Sequence, residues 1–263
     1  MAYERLVYEV REGVAWITIN RPDAYNALDL QTMKELFDIA NHCSSDPRVR
    51  AAVLTGAGTK AFCAGGDIAD FKDNQDVIAV RLKEMTTYLH MAVSRFAWMN
   101  APLIAAVNGV AAGAGLSVVA FCDLAVAADT ATFTSAYSKL GFTPDGSSTY
   151  FLSRILGTRR AMDLYMTNRV LTAGEALDWG LVNRVVAAKD VLPEASKLAA
   201  QLADGPTRAH GGIKKLLLTA PTETLESQME RETRSIVKMA TSPDGREGVR
   251  AFSEKRKPRF SGE

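Results

Sequence analysis

The sequence predicts an α/β fold that runs into a helical C-terminal region. Two observations carry this reading. Short apolar runs of strand length alternate with stretches of helical period as far as Val186, and from Asp190 onward the period is helical alone. A third observation points to a site. The uncharged stretch from Ala101 to Cys122 begins as an apolar run at Pro102, turns at Asn108-Gly109, and continues through Ala and Gly into a second apolar run ending at Phe121. It reads as a buried strand, a tight turn and a helix. Small residues let a ligand approach the backbone, and the first N–H groups of a helix have no intrahelical partner. Such a place suits an oxygen that becomes negative during a reaction, although helix–sheet packing also asks for small residues. The stretch is long enough to span a bilayer, but Pro102, Asn108 and three central glycines argue against a span.

The elements follow in order. Leu6–Val10 and Val14–Ile19 are β-branched and apolar, and Glu12-Gly13 between them signals a hairpin. Asn26 to Asp29 leads into a helix with Leu30, Met33, Leu36, Phe37 and Ala40 on one face, ended by Asp46-Pro47. Val49–Thr55 is a strand. Ala64-Gly65-Gly66-Asp67 follows it after a glycine-containing loop, a second place for bare backbone to face a ligand. Asp76–Trp98 has a long helical period with His90 within it. Asp123–Ala128 and Thr130–Thr134 are strands, and residues 137–148 form a loop with Asp145-Gly146 as turn and Ser147 as helix cap. Helices are expected over 148–156 and 159–166. Thr172-Ala173-Gly174-Glu175 is a capping box, and Leu181–Val186 a strand. The chain divides into a core, 1–200, and a C-terminal helical region, 201–263.

Composition bounds the function. With 263 residues, 47% hydrophobic and 23% charged, the chain can bury a sizeable core. A net charge of +1 argues against nucleic acid as the main partner. The three cysteines Cys43, Cys63 and Cys122 have no metal-like spacing and read as buried thiols in a reducing compartment. The N-terminal residues lack an apolar signal core, which gives a cytoplasmic expectation. No metal site is visible.

Four stretches together resemble the crotonase, or enoyl-CoA hydratase/isomerase, family. They are Asn20-Arg21-Pro22-Asp23-Ala24-Tyr25-Asn26-Ala27-Leu28, Phe62 to Ile68, Ala106-Val107-Asn108-Gly109 through Gly115, and Ala251 to Arg256. The resemblance covers essentially the whole chain. It implies a spiral of ββα units in the core, with the C-terminal helices assembling a homotrimer or a hexamer of two trimers. It also implies an acyl-CoA thioester substrate, with no cofactor beyond the CoA it carries, and neither a nucleic acid nor a membrane as partner. Two backbone N–H groups that hold the thioester oxygen carry over to Gly66 and Ala114, the latter where the family more often has glycine. CoA-binding positions carry over to Ala64, Asp67 and Ile68, and to Phe252 and Lys255, often from a neighbouring subunit. In plain sequence terms Asp67 can simply orient its glycine loop, and Lys255 belongs to a solvated basic run.

Acid–base residues decide the reaction. Where the family's hydratases carry two glutamates, this chain has Ser117 and Tyr137, and neither replaces a carboxylate base. A carboxylate stands instead at Asp145, matching the single base of the family's isomerases. The surrounding Ala136 to Gly141, and Arg246 to Arg256, resemble the 1,2-epoxyphenylacetyl-CoA isomerase branch. One carboxylate suffices for a 1,3-proton shift, in a pocket to which Tyr137, Phe142 and Ser117 are expected to contribute. Two alternatives stand beside this. A 4-chlorobenzoyl-CoA dehalogenase would use Asp145 as nucleophile and His90 to activate water, but Tyr137 and Leu89 stand where it carries aromatic clamps. His90 is otherwise a hydrogen-bonded core histidine. A non-catalytic acyl-CoA binding module fits Ser117 and Tyr137 and is opposed by Asp145.

Overall fold

The computed structural model describes residues 3–263. Strands β1 (Leu6–Arg11) and β2 (Val14–Ile19) form the expected antiparallel hairpin. Glu12 and Gly13 both have positive φ (52° and 77°), the pairing that matches the twist of a two-residue hairpin. Helix α1 (Leu30–Ser45) is capped by Asp29, whose carboxylate accepts the Thr32 N–H at 2.7 Å. A ββα unit then recurs. Strands β3 (Ala51–Gly56) and β4 (Ala61–Cys63) are followed by α2 (Ile68–Asp73) and α3 (Ile78–Trp98). Strands β5 (Leu103–Val107) and β6 (Val110–Ala112) are followed by α4 (Ala114–Phe121). Strands β7 (Leu124–Ala128) and β8 (Thr132–Thr134) lead through a loop to α5 (Ser148–Leu156).

Each turn places its first strand in one sheet and its second in another. The larger sheet then runs β1-β2-β3-β5-β7, closed by β10 (Arg184–Val186), and is parallel from β2 onward. The smaller sheet runs β4-β6-β8 in parallel, closed antiparallel by β9 (Leu171–Thr172). Strands β3 and β5 are buried throughout, which is why they read as unbroken apolar runs. Helix α4 is buried on every side. Its Gly115 has no room for a side chain, because a Cβ there would lie 2.0 Å from the Cys63 carbonyl oxygen.

Helices α6 (Thr158–Thr167), α7 (Ala173–Asp178) and α8 (Val191–Ala203) complete the core, α7 opened by the expected Thr172/Glu175 capping box. Helix α8 packs on the larger sheet and ends at Ala203, three residues past the expected boundary at 200. Helices α9 (Thr207–Thr219), α10 (Leu225–Ala240) and α11 (Pro243–Ser253) form the C-terminal region. Helix α9 is fastened to the core by Lys214, whose Nζ lies 2.7 Å from Asp123 Oδ2 and donates to the carbonyls of Phe96 and Ala101.

Several expectations need correction. The central stretch is strand, turn, short strand and helix, because Val110–Ala112 pairs with both β4 and β8 before α4 begins. Apart from these corrections, no helix among the described residues is long and apolar enough to cross a membrane. Helix α2 was not anticipated. Ser147 stands at the start of α5 with φ +61° and makes no side-chain cap. His90 is neither a core histidine nor hydrogen-bonded to a core group. The buried face of α3 carries Met85, Leu89, Ala92, Val93 and Phe96, and the turn of one residue from Leu89 leaves His90 exposed.

Candidate active site

The three parallel strands of the smaller sheet all end at one edge. The backbone leaving β4 gives Gly66, the backbone leaving β6 gives Ala114, and the loop leaving β8 gives Tyr137 and then Asp145. Strand pairing brings these sequence-distant segments side by side, at the carboxyl ends of parallel strands where ligands commonly bind. A cavity of about 620 Å³ opens there. Ala64, Gly66, Ile68, Ala114, Tyr137, Phe142 and Asp145 all line it.

Both amides are left free by the local fold. Leu28 forms a parallel bridge around Gly66, its N–H donating to the Gly65 carbonyl and its carbonyl accepting from Asp67 N–H. This pairing uses the groups on either side of Gly66 and turns the Gly66 N–H the other way. Ala114 is the first residue of α4, behind Gly113 with φ +52°. Its N–H is one of the donors that a helix start leaves unpaired. Among the described residues neither N–H has a hydrogen-bond acceptor. The two segments touch, since a Cβ on Gly65 would lie 2.9 Å from the Ala112 carbonyl oxygen and 3.4 Å from Ala114 N. At Gly66 a Cβ would lie 2.5 Å from the tip of the Phe71 ring, so any side chain there would have to displace that ring.

Among the described residues Asp145 is the only carboxylate lining the cavity. Its Oδ1 accepts the Tyr137 hydroxyl at 2.5 Å, and its main-chain carbonyl accepts Ser148 Oγ at 2.9 Å and Ser148 N–H at 3.1 Å. Burial, then the Asp145 charge and the hydrogen bond to it, push the Tyr137 phenol well above its ordinary value. Much of the rest of the wall is apolar, with Met33, Leu82, Met85, Leu140 and the Phe71 and Phe142 rings 6.3 Å apart, while Thr86, Lys139 and Thr143 also line it. Of these only Phe142 is expected from sequence: Met33, Phe71, Leu82 and Met85 come from α1, α2 and α3, whose approach to this edge depends on tertiary packing, and Leu140 lies in the same loop as Phe142.

Other expected positions lie elsewhere. Ser117 is fully buried behind the pocket, its Oγ 3.0 Å from the Tyr137 hydroxyl and 3.1 Å from the Asp145 carbonyl oxygen. Asp67 does not line the cavity. Its carboxylate receives Arg21 Nη2 at 2.7 Å and the N–H groups of Ala69 and Asp70, so it caps α2 and fixes the backbone after Gly66. Burial alone would raise its pKa, but Arg21 and these N–H groups hold the carboxyl below its ordinary value. Phe252 is 87% exposed on α11 and, like Lys255, stands outside the cavity of its own chain. His90, one turn beyond the cavity-lining Thr86, is outside it as well. Among the described residues no three His, Cys, Asp or Glu side chains gather as metal ligands.

Comparison with known proteins agrees with this architecture. Residues 9–263 match the family described as enoyl-CoA hydratase/isomerase. The chain is 37% identical over 261 residues to a 1,2-epoxyphenylacetyl-CoA isomerase from Escherichia coli (strain K12), covering 98% of this chain and 99% of that one. It is also 37% identical over 248 residues to 4-chlorobenzoyl coenzyme A dehalogenase-2 from Arthrobacter sp, covering 94% of this chain and 90% of that one. Among solved structures, an enoyl-CoA hydratase from Polaromonas sp. JS666 superposes with a TM-score of 0.92 at 33% identity, covering 97% of this chain and 99% of the other.

Proposed function

The chain belongs to the enoyl-CoA hydratase/isomerase family, and from that premise we propose that it isomerises the double bond of an enoyl-CoA with Asp145 as its single base. The observation that carries the reading is the cavity lined by two free amides and one carboxylate. Asp145 takes a proton from C2 of a 3-enoyl thioester. The C–H electron pair moves into the C2–C1 bond, and the thioester oxygen takes up the negative charge as a dienolate. The Gly66 and Ala114 N–H groups hold that oxygen. Donors set in advance toward developing charge stabilise it by about 3 kcal/mol each. Collapse of the dienolate re-forms the carbonyl and leaves the double bond between C2 and C3. C4 takes the proton back from Asp145, which returns to its starting state. Among the described residues no second carboxylate lines the cavity, which supports a one-base shift over water addition by two glutamates.

The nucleotide of CoA is assigned to the edge formed by Ala64 and Ile68, with Phe252 and Lys255 supplied by a second copy. The Arthrobacter relative keeps a second reading in view: dehalogenase-like hydrolysis, with Asp145 attacking an aromatic ring and His90 activating water. The exposure of His90 outside the cavity counts against it.

The test is a 3-enoyl-CoA incubated in deuterated water. The expected outcome is conversion to the 2-enoyl form with deuterium at C2 and C4, falling about 10³-fold in Asp145→Asn with CoA-ester affinity retained. Near-normal turnover in that variant would remove Asp145 from the role. Chloride release from 4-chlorobenzoyl-CoA in place of isomerisation would favour the second reading.

A further inference from the structure

The hydroxyl groups of Tyr137 and Ser117 converge on Asp145. Tyr137 lines the cavity, yet its hydroxyl is turned onto Asp145 Oδ1 at 2.5 Å. That bond uses the single phenolic proton. The Ser117 hydroxyl, 3.0 Å from the Tyr137 oxygen, therefore stands as donor wherever the two interact. Ser117 is fully buried on α4 and also lies within 3.1 Å of the Asp145 carbonyl oxygen, so its one proton is shared between side chain and main chain of the same pair. Ser148 adds its hydroxyl and its N–H to that carbonyl.

The backbone is held as tightly. Ala136, immediately before Tyr137, has φ +55°, and Ser147, two residues after Asp145, has φ +61°. Non-glycine residues adopt this region only where the surroundings enforce it. Gly146 between them has φ +60°, and a Cβ there would meet Ser117 Cβ at 2.9 Å. The segment carrying both side chains is thus fixed at each end and pressed onto α4.

We propose that Tyr137 is the positioning residue of Asp145: its hydroxyl occupies Oδ1, leaving Oδ2 as the one oxygen that takes the proton from C2 and returns it to C4. The inference rests on the base assignment given above. Tyr137 stays protonated throughout the working range, because burial and the facing carboxylate oppose its ionisation. It holds the carboxylate without exchanging a proton with the substrate.

The experiment compares the unaltered protein with Tyr137→Phe and Ser117→Ala, measuring isomerisation and deuterium exchange at C2 of a bound 3-enoyl-CoA. Tyr137→Phe keeps the ring that lines the cavity and removes the hydroxyl alone. The expected result is a fall in kcat and in C2 exchange of about 10²-fold, with KM within about twofold, as expected for loss of alignment at the reacting atom. Ser117→Ala, which leaves the Tyr137–Asp145 bond in place, costs only a few-fold. A raised KM with unchanged kcat in Tyr137→Phe would make Tyr137 a wall for the acyl group and overturn the proposal. So would equal losses in the two variants, which would mark a packing defect. If Tyr137→Phe does not fold, 3-fluorotyrosine at the same position keeps the shape and alters the donor. A change in kcat alone then supports the clamp, and no change overturns it. Absence of C2 exchange in the unaltered protein would overturn the base assignment and the clamp together, whereas wild-type exchange with an unchanged rate in Tyr137→Phe overturns the clamp alone.

Discussion

At the scale of single residues, glycine and cysteine state most plainly how closely the site is built. Gly115 lets the first turn of α4 lie against β4, and this contact sets Ala114 beside Gly66. Gly115→Ala would drive a methyl group into the Cys63 carbonyl. The expected cost is about 3 kcal/mol of stability, read from urea denaturation, with loss of turnover as the two amides separate. Cys63 ends the strand that leads to Ala64, but it has no part in the chemistry. Burial pushes its thiol up to about 12, does the same at Cys43, and drives Cys122 well above its ordinary value. Only the thiolate is nucleophilic, so the folded protein should resist alkylation by iodoacetamide near pH 8. All three thiols should label once it is unfolded in guanidinium, and rapid labelling of the folded chain at Cys63 would contradict the packing described.

Among elements, those that could be read from sequence are the ones whose signal is local. The β1–β2 hairpin is specified by Glu12-Gly13, α7 by its capping box, and α1 and α3 by long apolar periods. The elements that escaped are short or defined by partners far away. Helix α2 has six residues and depends on Asp67, itself held by Arg21 from the chain before α1. Strand β6 has three residues and exists through pairing on both sides. The site follows the same rule. The two amides and Asp145 could be assigned from motifs, whereas the placing of Ser117 behind Tyr137 needs α4 and the 137–145 loop to meet. The inside or outside position of His90 likewise depends on one step of helical phase. Helix α9 offers a test of long-range fastening. Burial pushes the Asp123 carboxyl up, and Lys214 opposes this at 2.7 Å with its own side chain 9% exposed. Lys214→Ala would leave a buried charge without its partner, and the expected destabilisation is about 3–5 kcal/mol. A urea midpoint within experimental error of the wild type would show that α9 is held by other contacts.

For the whole molecule, the C-terminal helices expose more apolar surface than a solitary chain needs. Leu217, Ile236, Val249 and Phe252 are each at least 68% exposed. The expected outcome of sedimentation at micromolar concentration is an oligomer. Truncation of Phe252 to Ala should then raise KM for the CoA ester without lowering kcat, since this residue stands outside the cavity of its own chain. A monomer with full activity would dissociate the CoA site from assembly. The arrangement of the smaller sheet has one more consequence. The amides proposed to hold the thioester oxygen belong to the main chain after β4 and β6, and their character as N–H donors does not depend on which side chains surround them. The carboxylate proposed to move the proton is carried by the separate stretch after β8. Electrophile and base are in this sense separately heritable. On the proposed assignment, redrafting one connecting segment can change which bond is remade while the grip on the thioester stays as it is.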